Sequence, residues 1–227
     1  MNERTRTYLS GRFGDYYRRS DIEGPPASNE REWGHIPFTP GEGTTMIRHQ
    51  SWHEVAGSGS ITDSLAREQP RHVYHSVGRY DDPDASRMGA KGWRGADLVF
   101  DLDADHLPGV DPEATSYAGM LAACKETLFD LLDFLEGDFG FTDPTVVFSG
   151  GRGYHVHVRA DRVQGLGRDQ RDEIVEYVRG PDVAFEDLLR TETVEGLGLK
   201  NPTQKRMLPT EGGWGARVHR HLLELVD

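Results

Sequence analysis

The sequence predicts an α/β (α+β) protein, and three stretches carry that prediction. GADLVFDLD, residues 95–103, is an apolar run of strand type. Tyr117, Leu121, Cys124, Leu128, Leu131, Leu132 and Leu135 recur at helical spacing, which predicts an amphipathic helix over 115–136. TVVFS (145–149) and YHVHV (154–158) then read as two strands joined by SGGRG or a turn close to it.

The other elements follow in chain order. Residues 1–20 are expected to be helical, with Tyr8, Phe13, Tyr16 and Tyr17 among arginines, and DIEGPPASNE (21–30) is a loop. Short strands are expected around EWGHIPF, TTMIRHQSW and HVYHSVGRY. Residues 169–190 read as one helix or two short ones, interrupted by Gly180 and Pro181, and a last helix is expected from about Arg217. The chain stops within it without a polar tail, which suggests a fragment.

Composition narrows the function classes. A chain of 227 residues can bury a sizeable core. Asp and Glu number 38 against 26 Lys and Arg, for a net charge of −12, which argues against a general nucleic-acid coat protein. Only four of the basic residues are lysines, a skew that resembles the cytosol of a salt-loving organism. The single cysteine, Cys124, excludes an intramolecular disulfide and a zinc site of four cysteines or of two cysteines and two histidines. With no membrane-length apolar run and no secretory signal in MNERTRTYLSGRF, the reading is a cytoplasmic protein with no membrane partner.

Two constellations carry chemistry. Alternation along a strand places Asp97, Val99, Asp101 and Asp103 on one face and Leu98, Phe100 and Leu102 on the other, which is expected to face the core. Carboxylates about 7 Å apart on one face repel unless a cation or water screens them, and hard divalent ions such as Mg²⁺ or Mn²⁺ take such oxygen ligands. A D-x-D at a strand end also reads as a solvated terminus in an acid-rich protein. In SGGRGYHVHV, Gly150, Gly151 and Gly153 allow a ligand close to the backbone, while Ser149 and Arg152 offer a hydroxyl and a planar fork of donors suited to phosphate. His155 and His157 share one face of the following strand. The same segment also reads as an ordinary hairpin loop with hydrogen-bonded strand histidines.

Together the two segments resemble the catalytic small subunit of the archaeal and eukaryotic DNA primase. The FD-[IL]-D motif of that family is matched by Phe100, Asp101, Leu102 and Asp103, and its S-G-x-R-G-x-H motif by Ser149, Gly150, Arg152, Gly153 and His155. YYRR at Tyr16–Arg19, REW at Arg31–Trp33 and IRHQSW at Ile47–Trp52 look similar too. The resemblance implies a mixed-sheet catalytic core flanked by helices, with the aspartates on the sheet. It implies template-directed nucleotidyl transfer from nucleoside triphosphates on a single-stranded DNA template, giving short RNA or DNA primers, with the primase large subunit as partner. Asp101 and Asp103 would be the catalytic, metal-holding residues for Mg²⁺ or Mn²⁺. Ser149, Arg152 and His155 would bind the nucleotide. Arg18, Arg19, Arg48, Arg79 and Arg94 are candidates for template or primer phosphates.

The match has three departures. The family uses a third aspartate far downstream, and none is matched before Asp227, so residues 1–227 are read as a primase catalytic core incomplete at its C-terminal end. Many members bind a structural zinc, but Cys124 reads as core packing and no zinc is expected here. Gly151 stands where some relatives have a second arginine, which leaves Arg152 to carry more of the phosphate contact. Asp105 is read as a solvated turn residue before Pro108.

Two other classes compete. LVFDLDAD also resembles the D-x-D strand of haloacid-dehalogenase-type phosphatases, whose first aspartate is a nucleophile. That family prefers Thr or Val where this chain has Asp105, and places the strand near the start of its domain. A non-catalytic nucleic-acid-binding module would use Tyr154 and Trp52 for stacking, against the opposition of acidic residues on the sheet.

Overall fold

The computed structural model describes residues 1–39, 45–57, 59–180, 183–194 and 203–226. In chain order its elements are α1 (Glu3–Arg19), β1 (Trp33–Ile36), β2 (Ile47–Gln50), α2 (Trp52–Ala56), α3 (Ile61–Glu68), β3 (His72–His75), β4 (Gly78–Tyr80), β5 (Trp93–Ala96) and β6 (Leu98–Asp103). There follow α4 (Tyr117–Gly137), β7 (Thr145–Phe148), β8 (Gly153–Val158), α5 (Asp161–Gln164), α6 (Arg168–Arg179), α7 (Phe185–Leu188), β9 (Arg190–Val194), β10 (Thr203–Met207) and α8 (Gly213–Glu224). The mixture of helices and antiparallel strand pairs agrees with the α/β (α+β) expectation. No helix among the described residues is long and apolar enough to cross a membrane.

The chain divides into two compact units, Met1–Val99 with Arg159–Leu166, and Phe100–Val158 with Gly167–Asp227. The first unit opens with α1, which starts where the Asn2 side chain accepts a hydrogen bond from the Thr5 amide at 2.8 Å and ends in Arg18 and Arg19, as the helix dipole favours. β1 lies between β2 and β3 in an antiparallel sheet, with Trp33 opposite His75 and Ile36 opposite His72. Tyr17, Trp33, Val55, Ile61, Leu65 and Ala66 form the core under it. β4 and β5 make a separate antiparallel pair.

Two expectations about this unit need correction. HVYHSVGRY is two strands, β3 and β4, and GADLVFDLD is broken at Asp97 into β5 and β6. Asp97 does not join a row with Asp101 and Asp103, because its carboxylate is enclosed. It accepts from Arg31 Nη2 at 2.9 Å, Gln164 Nε2 at 3.0 Å and Arg159 Nε at 3.3 Å. Arg31, itself only 1% exposed, also donates to the carbonyls of Pro26, Ser76 and Val77. Burial pushes the Asp97 carboxyl up, but the three donors outweigh it and hold the carboxyl below its ordinary value.

In the second unit β8 lies between β6 and β7, and β7 runs antiparallel to β8 with Thr145 opposite His157 and Phe148 opposite Tyr154. α4 is capped by Ser116, whose hydroxyl accepts from the Gly119 amide at 3.1 Å. It buries Cys124, Leu128, Leu131 and Leu135 of the stripe that the sequence spacing predicts, together with Met120 and Phe134, while Tyr117 of that stripe is exposed. α8 is tied to α4 by Arg217, which pairs with Asp133 and Asp138 and lies over the Phe134 ring. β9 and β10 pair with each other, Arg190 opposite Met207. Pro181, expected as a helix breaker, lies outside the described residues.

Candidate active site

β6 and β8 bring the two sequence motifs together. The approach is close enough to require glycine at Gly153, where a Cβ would lie 2.9 Å from the Leu102 carbonyl carbon and closer still to its oxygen. Gly150 adopts φ +80°, in the left-handed region, with open space around it. The loop is closed by Ser149 N–H to the Gly153 carbonyl at 3.0 Å, and the Ser149 hydroxyl accepts from the Gly151 amide at 3.3 Å. Tyr117, at the start of α4, donates its hydroxyl proton to the Gly151 carbonyl at 2.9 Å.

Beneath this loop the support is apolar. Ala104 and Cys124 are fully buried and Met120 nearly so, with Leu102, Leu107, Val110 and Tyr154 packed against them. Burial raises the Cys124 thiol, helped by the charge of Asp103, which keeps it an inert core residue as its helical position predicts. Leu102 thus points to the core while the neighbouring aspartates point away. Asp101 is 72% exposed at its side chain, and its Oδ1 lies 3.4 Å from His155 Nε2. His157, next along that face of β8, is buried, with its ring centroid 6.3 Å from that of His155.

Asp103 and Asp105 form the other half of the acidic row. Their carboxyl groups lie close enough to compete for one proton, which raises Asp103, with burial adding to the rise, and lowers Asp105, where the nearby Arg152 charge lowers it further against burial. Asp103, Asp105 and His106 each offer a ligand atom, all within 4.8 Å of one another. Arg152 already answers the charge of Asp105, so Asp103, with Asp101 on the same strand face, is the carboxylate whose like-charge repulsion a hard divalent cation would remove.

Asp105 is therefore not a freely solvated turn residue. It sits in the 3₁₀ turn Ala104–His106 that follows β6, only 21% exposed at the side chain, and its Oδ2 accepts from Arg152 Nη2 at 2.6 Å. The D-x-D-x-D-H spacing of residues 101–106 is the sequence signal for both Asp105 and His106, of which Asp105 reads from sequence as a turn residue and His106 carries no reading. Of the five residues proposed from sequence, Asp101 and His155 meet directly. Asp103 and Arg152 converge on Asp105, and Ser149 lies in the loop that carries Arg152. The candidate phosphate-binding arginines fare differently. Arg79 and Arg94 both pair with Glu30 at 2.7 Å, and Arg18 pairs with Asp15, so their charges are at least partly answered within the first unit.

This constellation coincides with the segment that comparison with known proteins selects. Residues 100–201 match the family model described as DNA primase small subunit. The chain is similar over its whole length to proteins named DNA primase small subunit PriS: 60% identical over 228 residues to that of Haloarcula marismortui, of which it covers 57%. It is 61% identical over 227 residues to that of Halorubrum lacusprofundi, covering 56%, and 61% identical over 228 residues to that of Natronomonas pharaonis, covering 58%. The chain thus spans a little over half the length of these haloarchaeal relatives, whose organisms accord with the acidic, lysine-poor composition. These matches favour the primase reading of the D-x-D strand over the phosphatase reading. With both motifs of the family in one site, residues 100–201 match the DNA primase small-subunit family and the whole chain is similar to its haloarchaeal members.

Proposed function

We propose that this chain carries the nucleotide and metal site of a DNA primase catalytic subunit. The observation that carries the reading is the convergence at the end of β6, where Asp101 meets His155 and Arg152 pairs with Asp105, which lies beside Asp103. The reaction is template-directed transfer of a nucleotide from a nucleoside triphosphate to a 3′-hydroxyl, making short RNA or DNA primers during replication. Its partners are single-stranded DNA, nucleoside triphosphates and the primase large subunit, in the cytoplasm. Residues 1–227 are read as part of the catalytic core.

Asp101 and Asp103 would hold the divalent ions, Mg²⁺ or Mn²⁺. Bound there, such ions lower the pKa of an attacking hydroxyl and neutralise departing phosphate oxygens. The chain's own residues do the rest. Arg152 presents a fork of donors to the triphosphate and offsets the charge that develops on it. His155, 3.4 Å from Asp101, donates to a phosphate oxygen from the metal-holding side of the strand. Ser149 keeps the loop closed against its own Gly151 amide and presents its hydroxyl to the same phosphates. The three glycines of the loop let these groups approach without side-chain obstruction.

The test is binding of a fluorescent nucleoside triphosphate in high salt, with and without Mn²⁺. Metal-dependent binding by the wild-type chain that weakens at least tenfold, about 1.4 kcal/mol, in Asp101→Asn and in Arg152→Ala supports the reading. Binding that ignores the metal, or none from a folded chain, contradicts it.

A further inference from the structure

We propose that Asp105 is a positioning residue for nucleotide binding, acting by holding the Arg152 guanidinium in register with the metal-holding aspartates. The proposal deepens the reading above and rests on it.

Arg152 stands in a loop with Gly150 and Gly151 before it and Gly153 after it, the most permissive backbone a chain can have. Its neighbour Gly150 lies in open space. An arginine on such a loop would lose both backbone and side-chain freedom on meeting a phosphate, and that loss opposes binding. Two contacts in the structure remove much of it beforehand. The Arg152 carbonyl accepts from the Ala104 amide at 3.2 Å, and the Arg152 side chain donates to the Asp105 carboxylate at 2.6 Å. Backbone and side chain are thus both referred to one turn. That turn is firm, since Ala104 is fully buried against Met120 and Cys124. It also follows Asp103 directly, so the position of the guanidinium is tied to that of the aspartates rather than to the glycine loop.

The same geometry argues that Asp105 orients Arg152 without consuming it. A guanidinium carries five N–H donors in a fixed plane, and the contact to Asp105 engages the Nη2 group alone. Nη1 and Nε keep their donors, on a side chain that remains 41% exposed. The unused edge is available to a phosphate while Asp105 fixes the plane, in the way that a second carboxylate orients a ligand in many charged sites.

The experiment compares wild type, Asp105→Ala, Asp105→Asn, Arg152→Ala and the double variant Asp105→Ala with Arg152→Ala. Each is titrated with a fluorescent nucleoside triphosphate in Mn²⁺, and separately with Mn²⁺ alone. Asp105→Ala should weaken triphosphate binding about fivefold. Asp105→Asn, which keeps an acceptor oxygen, should recover part of the loss. The Asp105→Ala effect should vanish in the Arg152→Ala background, and Mn²⁺ alone should bind equally well. Unchanged or tighter triphosphate binding by Asp105→Ala overturns the proposal, as does an equal loss in the Arg152→Ala background. Weaker binding of Mn²⁺ alone overturns it too, since Asp105 would then act as a ligand.

A second readout separates this proposal from the reading it rests on. The ¹⁵Nε resonance of Arg152, measured without nucleotide, should report an ordered side chain in the wild type and a mobile one in Asp105→Ala. Order that does not depend on Asp105 overturns the positioning role. A wild-type chain with an ordered Arg152 that binds no triphosphate overturns the nucleotide-site reading instead.

Discussion

Gly153 faces the carbonyl of Leu102 so closely that no Cβ fits between β8 and β6. The contact joins the two motifs at the point where Asp103 and Arg152 leave their strands. Replacement by alanine must push the strands apart, and overpacking of this kind costs about 1–3 kcal/mol or more. Gly153→Ala should lower the urea midpoint accordingly and weaken triphosphate binding more than stability alone explains. Gly150→Ala should cost less, about 1 kcal/mol, because its positive φ is strained for alanine while the space around it is open. Equal effects of the two substitutions on nucleotide binding would argue against the strand contact as the organising feature.

Asp97 is held by Arg31, Arg159 and Gln164 with almost no solvent contact. Removing the carboxylate leaves two guanidinium charges facing each other, so Asp97→Ala should destabilise the chain by about 3–5 kcal/mol in urea denaturation. The effect on pH dependence has a definite sign. The folded carboxyl titrates below its unfolded value, so its contribution is complete above the unfolded pKa of about 3.9 and is lost as pH falls through the folded value. Wild-type stability should therefore drop on acidification below about pH 4, and the drop should be shallower in Asp97→Asn. Parallel acid profiles for the two proteins would contradict the assignment.

An excess of 38 acidic over 26 basic residues leaves the folded chain repelling itself at low ionic strength. Raising KCl from about 0.1 M to 1 M shortens the screening length from about 10 Å to 3 Å and should raise the melting temperature. A gain of about 1 kcal/mol would appear as about 2–4 °C for a chain of this size. A fall in melting temperature over that range would show that surface ion pairs such as Arg94 with Glu30 outweigh the net repulsion.

Much of this architecture is legible in the sequence where one physical signal dominates. The long helix α4 follows from seven apolar positions at helical spacing, and β7 and β8 from two short strand-type runs either side of a glycine loop. The bringing together of Asp101 with His155 also follows, but from the resemblance rather than from periodicity. What the sequence hides is decided by tertiary partners. Asp97 reads as one more carboxylate in a row, and only the distant Arg31 and Arg159 turn it into a buried structural charge that breaks the strand. Asp105 reads as a turn residue, and its turn is real, but its partner Arg152 lies across the site. The short helices α2 and α3 went unread although their starts carry a local signal. Ser51 with Glu54, and Ser60 with Asp63, each form a reciprocal cap of side chain and backbone. β9 and β10, rich in Thr, Glu, Arg and Lys, carry no apolar alternation to read.

The central claim is that the aspartate strand and the glycine loop form one metal-dependent phosphate site. The most direct measurement is an NMR titration of the uniformly ¹⁵N-labelled chain with substoichiometric Mn²⁺ in high salt, repeated with Asp103→Asn. Paramagnetic broadening should appear first at Asp101, Asp103 and Asp105, reach Arg152 and His155 at the same Mn²⁺ ratio, and fade in Asp103→Asn. Broadening spread over the acidic surface, or confined to residues outside β6, β8 and their loop, would contradict it.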